Sequence, residues 1–227
     1  MNRLIFIIAL VWCLAAQAAS KPNIVFVLAD DLGYGDVQCL NPERGKIKTP
    51  NLDRLAGEGM TFTDAHSGSS VCTPTRYGVL TGRYAWRTHL QNGVLSGYEE
   101  PLIAAQRLTL PAMLKEQGYQ TACIGKWHLG FTIEGADKTG TSEKKTGKGK
   151  QESKMMGAPL GAITKNGPLT RGFDTFYGFH HVRMMKSVFE DDRVTQIVEP
   201  VDMLPSLAKQ TREYLAKQAK AERPFFL

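Results

Sequence analysis

Residues 23–29, Asn-Ile-Val-Phe-Val-Leu-Ala, form one unbroken apolar, β-branched run that ends abruptly at Asp30-Asp31. A strand with one wet face alternates apolar and polar residues. One without polar interruption must be covered on both faces, which points to the interior of a parallel sheet flanked by helices. The rest of the chain supplies the alternation such a fold requires. Thr49-Pro50 places an N-cap and a first-turn proline ahead of an apolar stripe that Gly57 and Gly59 stop. Residues 60–65 alternate like a short strand, Cys72-Thr73-Pro74 opens a helix through Leu80, and Thr109-Leu110-Pro111 opens another that Gly118 closes. Tyr119 to Ile124 reads as a strand running into Gly125-Lys126-Trp127-His128. Residues 172–179 are aromatic and irregular, Ser206 to Lys220 has helical spacing, and Pro224-Phe225-Phe226-Leu227 reads as a strand just beginning, as in a truncated chain. This order predicts an α/β sandwich around a mainly parallel sheet. Such sheets place ligands at the carboxyl ends of their strands, where Asp30-Asp31 and Lys126/His128 stand.

At the amino terminus, Arg3 precedes the apolar run Leu4 to Ala16 and the small-x-small triplet Ala16-Gln17-Ala18. Residues 1–19 therefore read as a secretory signal peptide. The run is shorter than the roughly 20 residues a spanning helix needs, so no stable membrane anchor is expected. Trp12 is too bulky for the small residue that precedes a lipidated cysteine, which discounts Cys13. Cleavage leaves Cys39, Cys72 and Cys123, an odd number in an exported chain, so at least one thiol has no intrachain disulfide partner. The formal charge is +6, of which +4 lies between Lys138 and Lys154, with six Lys against two Glu. That stretch is rich in Gly, Ser and Thr, lacks apolar periodicity, and reads as a flexible, solvated loop. Nucleic-acid binding would want interleaved aromatics there, and it has none.

Three clusters could carry chemistry. Adjacent carboxylates raise each other's pKa unless a cation neutralises them, so Asp30-Asp31 suits a hard divalent metal, although a turn with Asp bonded to backbone amides gives the same dipeptide. Cys72-Thr73-Pro74-Thr75-Arg76 sets a cysteine before a helix whose free N–H groups favour anions, with an arginine one turn in to clamp an oxyanion. A half-buried thiol beside an ordinary helix start is the plainer reading. Lys126 and His128 are an anion-handling pair, or a solvated lysine and a capping histidine. His180-His181, after the aromatic segment, read as a substrate-facing loop.

Together these residues resemble the formylglycine-dependent, arylsulfatase-like sulfatases of the alkaline-phosphatase-like superfamily. Cys72-x-Pro74-x-Arg76 is similar to that family's modification motif, and Thr81-Gly82-Arg83 extends the match. Residues 118–128 resemble its second signature, and Lys21 to Gly33 and Thr49 to Ala56 resemble two further segments. The resemblance is dense from about residue 21 to 131, thins through the basic stretch, and returns at Gly172-Phe173-Asp174.

The resemblance implies an alkaline-phosphatase-like α/β sandwich, of which residues 20–227 are the N-terminal portion. It implies a sulfuric ester hydrolase in which Cys72 is oxidised by a separate formylglycine-generating enzyme to Cα-formylglycine. One hydroxyl of the hydrated aldehyde attacks sulfur, the alcohol or phenol leaves, and the other hydroxyl expels sulfate as the carbonyl re-forms. Asp30, Asp31 and the modified Cys72 would hold Ca²⁺ in preference to Mg²⁺. Arg76 would steady the formylglycine, Lys126 would neutralise sulfate charge, and His128 would contact the diol as base. Substrates would be sulfated glycans or aryl sulfates in a periplasmic, secreted or lysosomal-type compartment.

Thr75 stands where many members have Ser. The family's remaining metal ligands, second lysine and leaving-group histidine belong to a half of the domain that this stretch does not contain, which implies that the stretch alone is inactive. Two other functions compete. One is a phosphodiesterase or phosphonate hydrolase of the same superfamily, and the other a non-catalytic secreted glycan-binding derivative, which substitution at Cys72, Arg76, Lys126 or His128 would have favoured.

Overall fold

The computed structural model describes residues 21–134 and 157–227. Residues 1–19, read above as a signal peptide, and the Lys138–Lys154 stretch lie outside the described residues. Among the described residues four helices, α1 (Pro50–Glu58), α2 (Cys72–Thr81), α3 (Leu110–Glu116) and α4 (Met203–Gln218), accompany seven strands. These are β1 (Gln120–Lys126), β2 (Thr132–Ile133), β3 (Thr164–Lys165), β4 (Thr175–Phe179), β5 (Ser187–Glu190), β6 (Arg193–Ile197) and β7 (Phe225–Phe226). Five strands form one sheet in the order β6-β5-β4-β1-β7, and β2 pairs β3 separately. β1 runs parallel to both β4 and β7, while β4-β5 and β5-β6 are antiparallel. The centre is thus parallel, as an α/β sandwich requires, and the hairpin of β5 and β6 closes one side. No described helix is long and apolar enough to cross a membrane.

Local chemistry accounts for the elements around the centre. Thr109 caps α3 by accepting the Ala112 N–H at 3.3 Å, with Pro111 in the first turn. α2 ends at Gly82, whose φ of 65° lets its N–H close back on the Gly78 carbonyl at 2.8 Å. At the foot of the parallel pair, Asp174 accepts the Thr121 N–H at 3.0 Å and returns its own N–H to the Thr121 carbonyl at 2.8 Å. β1 and β4 are therefore locked before their first ladder rung. The core gathers Phe131, Phe176, Phe189, Leu95, Ile103 and Leu129, none more than 2% exposed.

Three local expectations fail for physical reasons. Residues 23–29 are not a strand covered on both faces. Only Ile24 bridges β7 as a parallel neighbour and packs against the core, whereas Val27 is 83% exposed. Residues 60–65 form no strand, and Met60 and Phe62 stand exposed without a neighbouring ladder. Conversely, the aromatic segment after Gly172 is not irregular: it becomes β4, with Phe176, Tyr177 and Phe179 buried between β1 and β5.

Gly178 is what lets β4 approach so closely. A Cβ there would lie 1.9 Å from the Gly125 carbonyl oxygen, against backbone that cannot swing away. Gly178→Ala should therefore cost about 3 kcal/mol, at the upper end of overpacking penalties. Urea unfolding of the whole protein checks this, and a variant with the parent's midpoint and slope would refute the close-approach argument.

Candidate functional site

The carboxyl ends of β1 and β4 gather the chemistry. Their pairing does not stop at the last strand residue: Trp127 N–H bonds to the Phe179 carbonyl and His128 N–H to the His180 carbonyl, each at 2.9 Å. Lys126 closes β1, and His128 turns the chain with a φ of 51°, a left-handed conformation that a non-glycine residue holds only when its surroundings fix it. The extended segment from Ile24 delivers Asp30 from the other side. α2 contributes Cys72 as its first residue and Arg76 one turn later.

Asp30 is the meeting point. One carboxylate oxygen accepts Lys126 Nζ at 2.8 Å, and the other faces an Arg76 terminal nitrogen at 3.4 Å. Arg76 also donates to the Lys126 carbonyl, which ties helix to strand. Both cations are nearly buried, with side chains 8% and 13% exposed, whereas Asp30 keeps 40%. Partial burial pushes the Asp30 carboxyl upward, but the Lys126 bond and charge, with Arg76 behind them, outweigh it and hold the group below its ordinary value. Two sequestered cations on one carboxylate leave positive charge to spare. Arg76 Nε is buried without a partner among the described residues, so further acceptors can be used here.

Thr73 carries the second tie. Fully buried, its hydroxyl donates to the His128 carbonyl at 3.0 Å and accepts the Leu95 N–H at 3.3 Å. Leu95 in turn accepts from His128 Nε2 at 2.8 Å. That bond puts the proton of the neutral ring on Nε2 and leaves Nδ1 as a lone-pair acceptor, buried and unpaired among the described residues. Burial takes the His128 pKa down to about 4. The Leu95 bond opposes this, and His181, Lys126 and Arg76 reinforce it. At neutral pH His128 is a base, not a cation.

The remaining sequence candidates lie around this centre. Asp31, exposed and left-handed at φ 61°, makes no side-chain hydrogen bond among the described residues. Cys72 is half-buried at a helix start that has no side-chain cap, so the first-turn N–H groups of α2 are left for an anion. All three described cysteines are free. Cys39 sits on the surface, and burial pushes the Cys123 thiol up to about 12, so neither shares the Cys72 environment.

The two adjacent histidines part company. His180 does not face a substrate: it has no exposure and its ring lies among Phe131, Tyr98 and His128, at centroid distances of 4.8, 5.5 and 5.8 Å. His181 packs edge-on against His128, with ring centroids 4.4 Å apart. Its own burial, then the charges of Lys126 and Arg183, hold its pKa below the usual value, with Asp30 pulling the other way. No spacing in the sequence foretells the Thr73–Leu95–His128 tie, because Leu95 lies in an irregular segment and takes part only through its backbone.

A family model described as Sulfatase matches residues 22–227. Over 119 residues the chain is 46% identical to an N-acetylgalactosamine-6-O-sulfatase of Bacteroides thetaiotaomicron, covering 52% of this chain and 23% of that protein. It is 41% identical over 126 residues to human steryl-sulfatase, covering 53% and 21%, and 44% identical over 118 residues to human arylsulfatase A, covering 52% and 23%. A structure from work on the metabolism of multiple glycosaminoglycans by Bacteroides thetaiotaomicron superposes with a TM-score of 0.73 at 25% identity. That match covers 92% of this chain and 50% of the other. A Pseudoalteromonas sulfatase shares the fold with a TM-score of 0.68 at 23% identity, covering 95% and 44%. The matches thus span under a quarter of these curated relatives and about half of the similar structures.

The buried histidines make acid stability testable. Burial, then the charges of His128, His181 and Lys126, take the His180 pKa down to about 3, while the unfolded chain titrates near about 6.5. Between those values the unfolded state binds the extra proton, so stability is complete above pH 6.5 and falls as pH drops toward 3. His180→Phe keeps an aromatic ring against Phe131 and removes the titration, so its stability should decline less steeply below pH 6.5. Unfolding midpoints measured across that range decide it, and parallel acid limbs for parent and variant would count against the buried neutral ring.

Proposed function

The chain belongs to the sulfatase family, and from that premise we propose that the whole protein is an exported sulfuric ester hydrolase. In this reading it acts through Cys72 as Cα-formylglycine, with sulfated glycans or aryl sulfates as substrates. The observation that carries the reading is the convergence of Lys126 and Arg76 on Asp30 beside the uncapped start of the Cys72 helix. The N-acetylgalactosamine-6-O-sulfatase relative favours a glycan.

Each side chain has a task that its setting supports. Lys126 and Arg76, withdrawn from water and held by fixed bonds, bind the sulfate oxygens and offset charge that shifts during transfer. His128, pinned through Nε2 and neutral, keeps the Nδ1 lone pair free to take a hydroxyl proton as sulfate departs. Cys72, half-buried at a helix start, is open to the maturing enzyme, and the hydrated aldehyde supplies the attacking hydroxyl. Asp30 and Asp31 suit a hard divalent cation, Ca²⁺ before Mg²⁺. Each Asp30 oxygen that accepts one cationic donor retains lone-pair capacity, and Asp31 is uncommitted. Together with an oxygen from residue 72 they fill only part of the six to eight oxygen positions that Ca²⁺ takes. The bound ion would add positive charge at the sulfate oxygens.

Two measurements test the reading. The peptide containing residue 72 should be lighter than its thiol form by about 18 Da after export from a host with the maturing enzyme, since a carbonyl oxygen replaces SH and one hydrogen. The full-length protein should hydrolyse the sulfate monoester of a chromogenic phenol faster than the phosphodiester of the same phenol. Preference for the phosphodiester would assign it to the phosphodiesterase branch, and turnover of neither, with Cys72 fully converted, would leave the glycan-binding reading. In the active enzyme Lys126→Met should lower kcat by about 10²- to 10³-fold, the usual loss for one preorganised charge-stabilising donor.

A further inference from the structure

Resting on the sulfatase reading, we propose that His181 is a third anion-binding side chain of this site, donating from Nε2 to a sulfate oxygen beside Lys126 and Arg76. The ladder that positions His128 positions His181 as well. His180 gives its carbonyl to the His128 N–H at 2.9 Å, so the next residue along leaves the β4 edge beside that turn. The ring then packs at 78° to that of His128, with centroids 4.4 Å apart.

The orientation of the ring is fixed from below. Nδ1 accepts the Arg183 N–H at 3.0 Å as the cap of a short 3-10 turn, Val182–Met184. A ring whose Nδ1 accepts carries its proton on Nε2. Nε2 has no protein partner among the described residues, and unlike both nitrogens of His180 it is not sealed from solvent. His181 is 9% exposed, so what reaches the surface is the edge of an otherwise buried ring whose single donor is pre-aimed. Electrostatically it lies within the field of Lys126 and Asp30, the two groups that define the anion centre. A neutral, preorganised N–H adds a directed hydrogen bond to a sulfate oxygen without a third buried cation.

Amide side chains separate the donor from the cap. In His181→Asn the amide oxygen can take over the Nδ1 position and keep the Arg183 bond, but no donor reaches the Nε2 position. In His181→Gln an amide N–H reaches that position. Both are made in the full-length, matured protein, with inorganic sulfate as the probe, read by calorimetry and as a competitive inhibitor of aryl sulfate turnover. His181→Asn should weaken sulfate binding about 10- to 100-fold and raise KM far more than it lowers kcat, with an unchanged melting temperature. His181→Gln should recover most of that loss. Parent-like sulfate binding by His181→Asn overturns the assignment, as does equal weakening in both variants that tracks a lower melting temperature. Should the parent itself neither bind sulfate nor turn over the sulfate ester, the sulfatase reading falls and takes this one with it. A turning-over parent matched by His181→Asn removes His181 alone.

Discussion

The parallel pairing of β1 with β4 is the constraint on which the rest depends. Gly178 faces Gly125 across it with no room for a Cβ of its own, and the ladder continues past both strand ends into residues 127–128 and 179–180. Extending a ladder beyond the pleated strand converts backbone register into side-chain position. Lys126 is the last strand residue, His128 lies two residues beyond it, and His181 follows the matching carbonyl on the other strand. Their spacing is therefore set by hydrogen bonds at 2.9 Å rather than by flexible side-chain choice. The Thr73 hydroxyl then fastens the helix carrying residue 72 to that ladder, since it bonds the His128 carbonyl while lying fully buried.

Electrostatics builds on that frame. Two cations withdrawn from water are costly unless an anion offsets them, and Asp30 offsets only one charge. The surplus has two consequences. It keeps the nearby imidazoles neutral, with Lys126 adding to what burial does at His128, His180 and His181. It also makes a doubly bonded, delocalised anion a better occupant than a neutral group, because its charge completes a pairing that the protein leaves half-made. Neutral histidines beside buried cations form a consistent set, because they add no repulsion between like charges.

The sequence made the helix starts legible because each carries its own chemistry. Thr109 with Pro111, and the Cys72-Thr73-Pro74 start with Gly82 behind it, signal their boundaries within a few residues, and the structure places α3 and α2 there. β4 was hidden because Gly172 and Gly178 made its surroundings look like a loop. Yet Gly178 is required by proximity to β1, a long-range fact no local window contains. Residues 23–29 erred in the opposite direction, since apolar continuity reports that a segment needs cover but not what supplies it. The side chains that meet at Asp30 could be named from their motifs, while the roles given to them rest on a family resemblance. What could not be read was the fixing of tautomers, because the Leu95 carbonyl and the Arg183 N–H that fix them belong to the backbone, which every residue shares.

Asp30 illustrates how far assembly of the centre is a property of the whole fold. Its segment is held by three backbone bonds to residues 225–227, from Ile24 N–H to Phe225, Phe26 N–H to Leu227 and Leu227 N–H to Ile24. At its other end the Lys126 and Arg76 contacts hold the carboxylate. The site thus joins residues 24–30, 72–76, 120–128 and 225–227, separations at which loop-closure entropy opposes each contact until the others have formed. A carboxylate with 40% exposure and two cationic partners contributes little stability by itself. What the contacts give is position: the acidic end of a lightly anchored segment is drawn to the mouth of a rigid parallel pair by helix, ladder and β7 together.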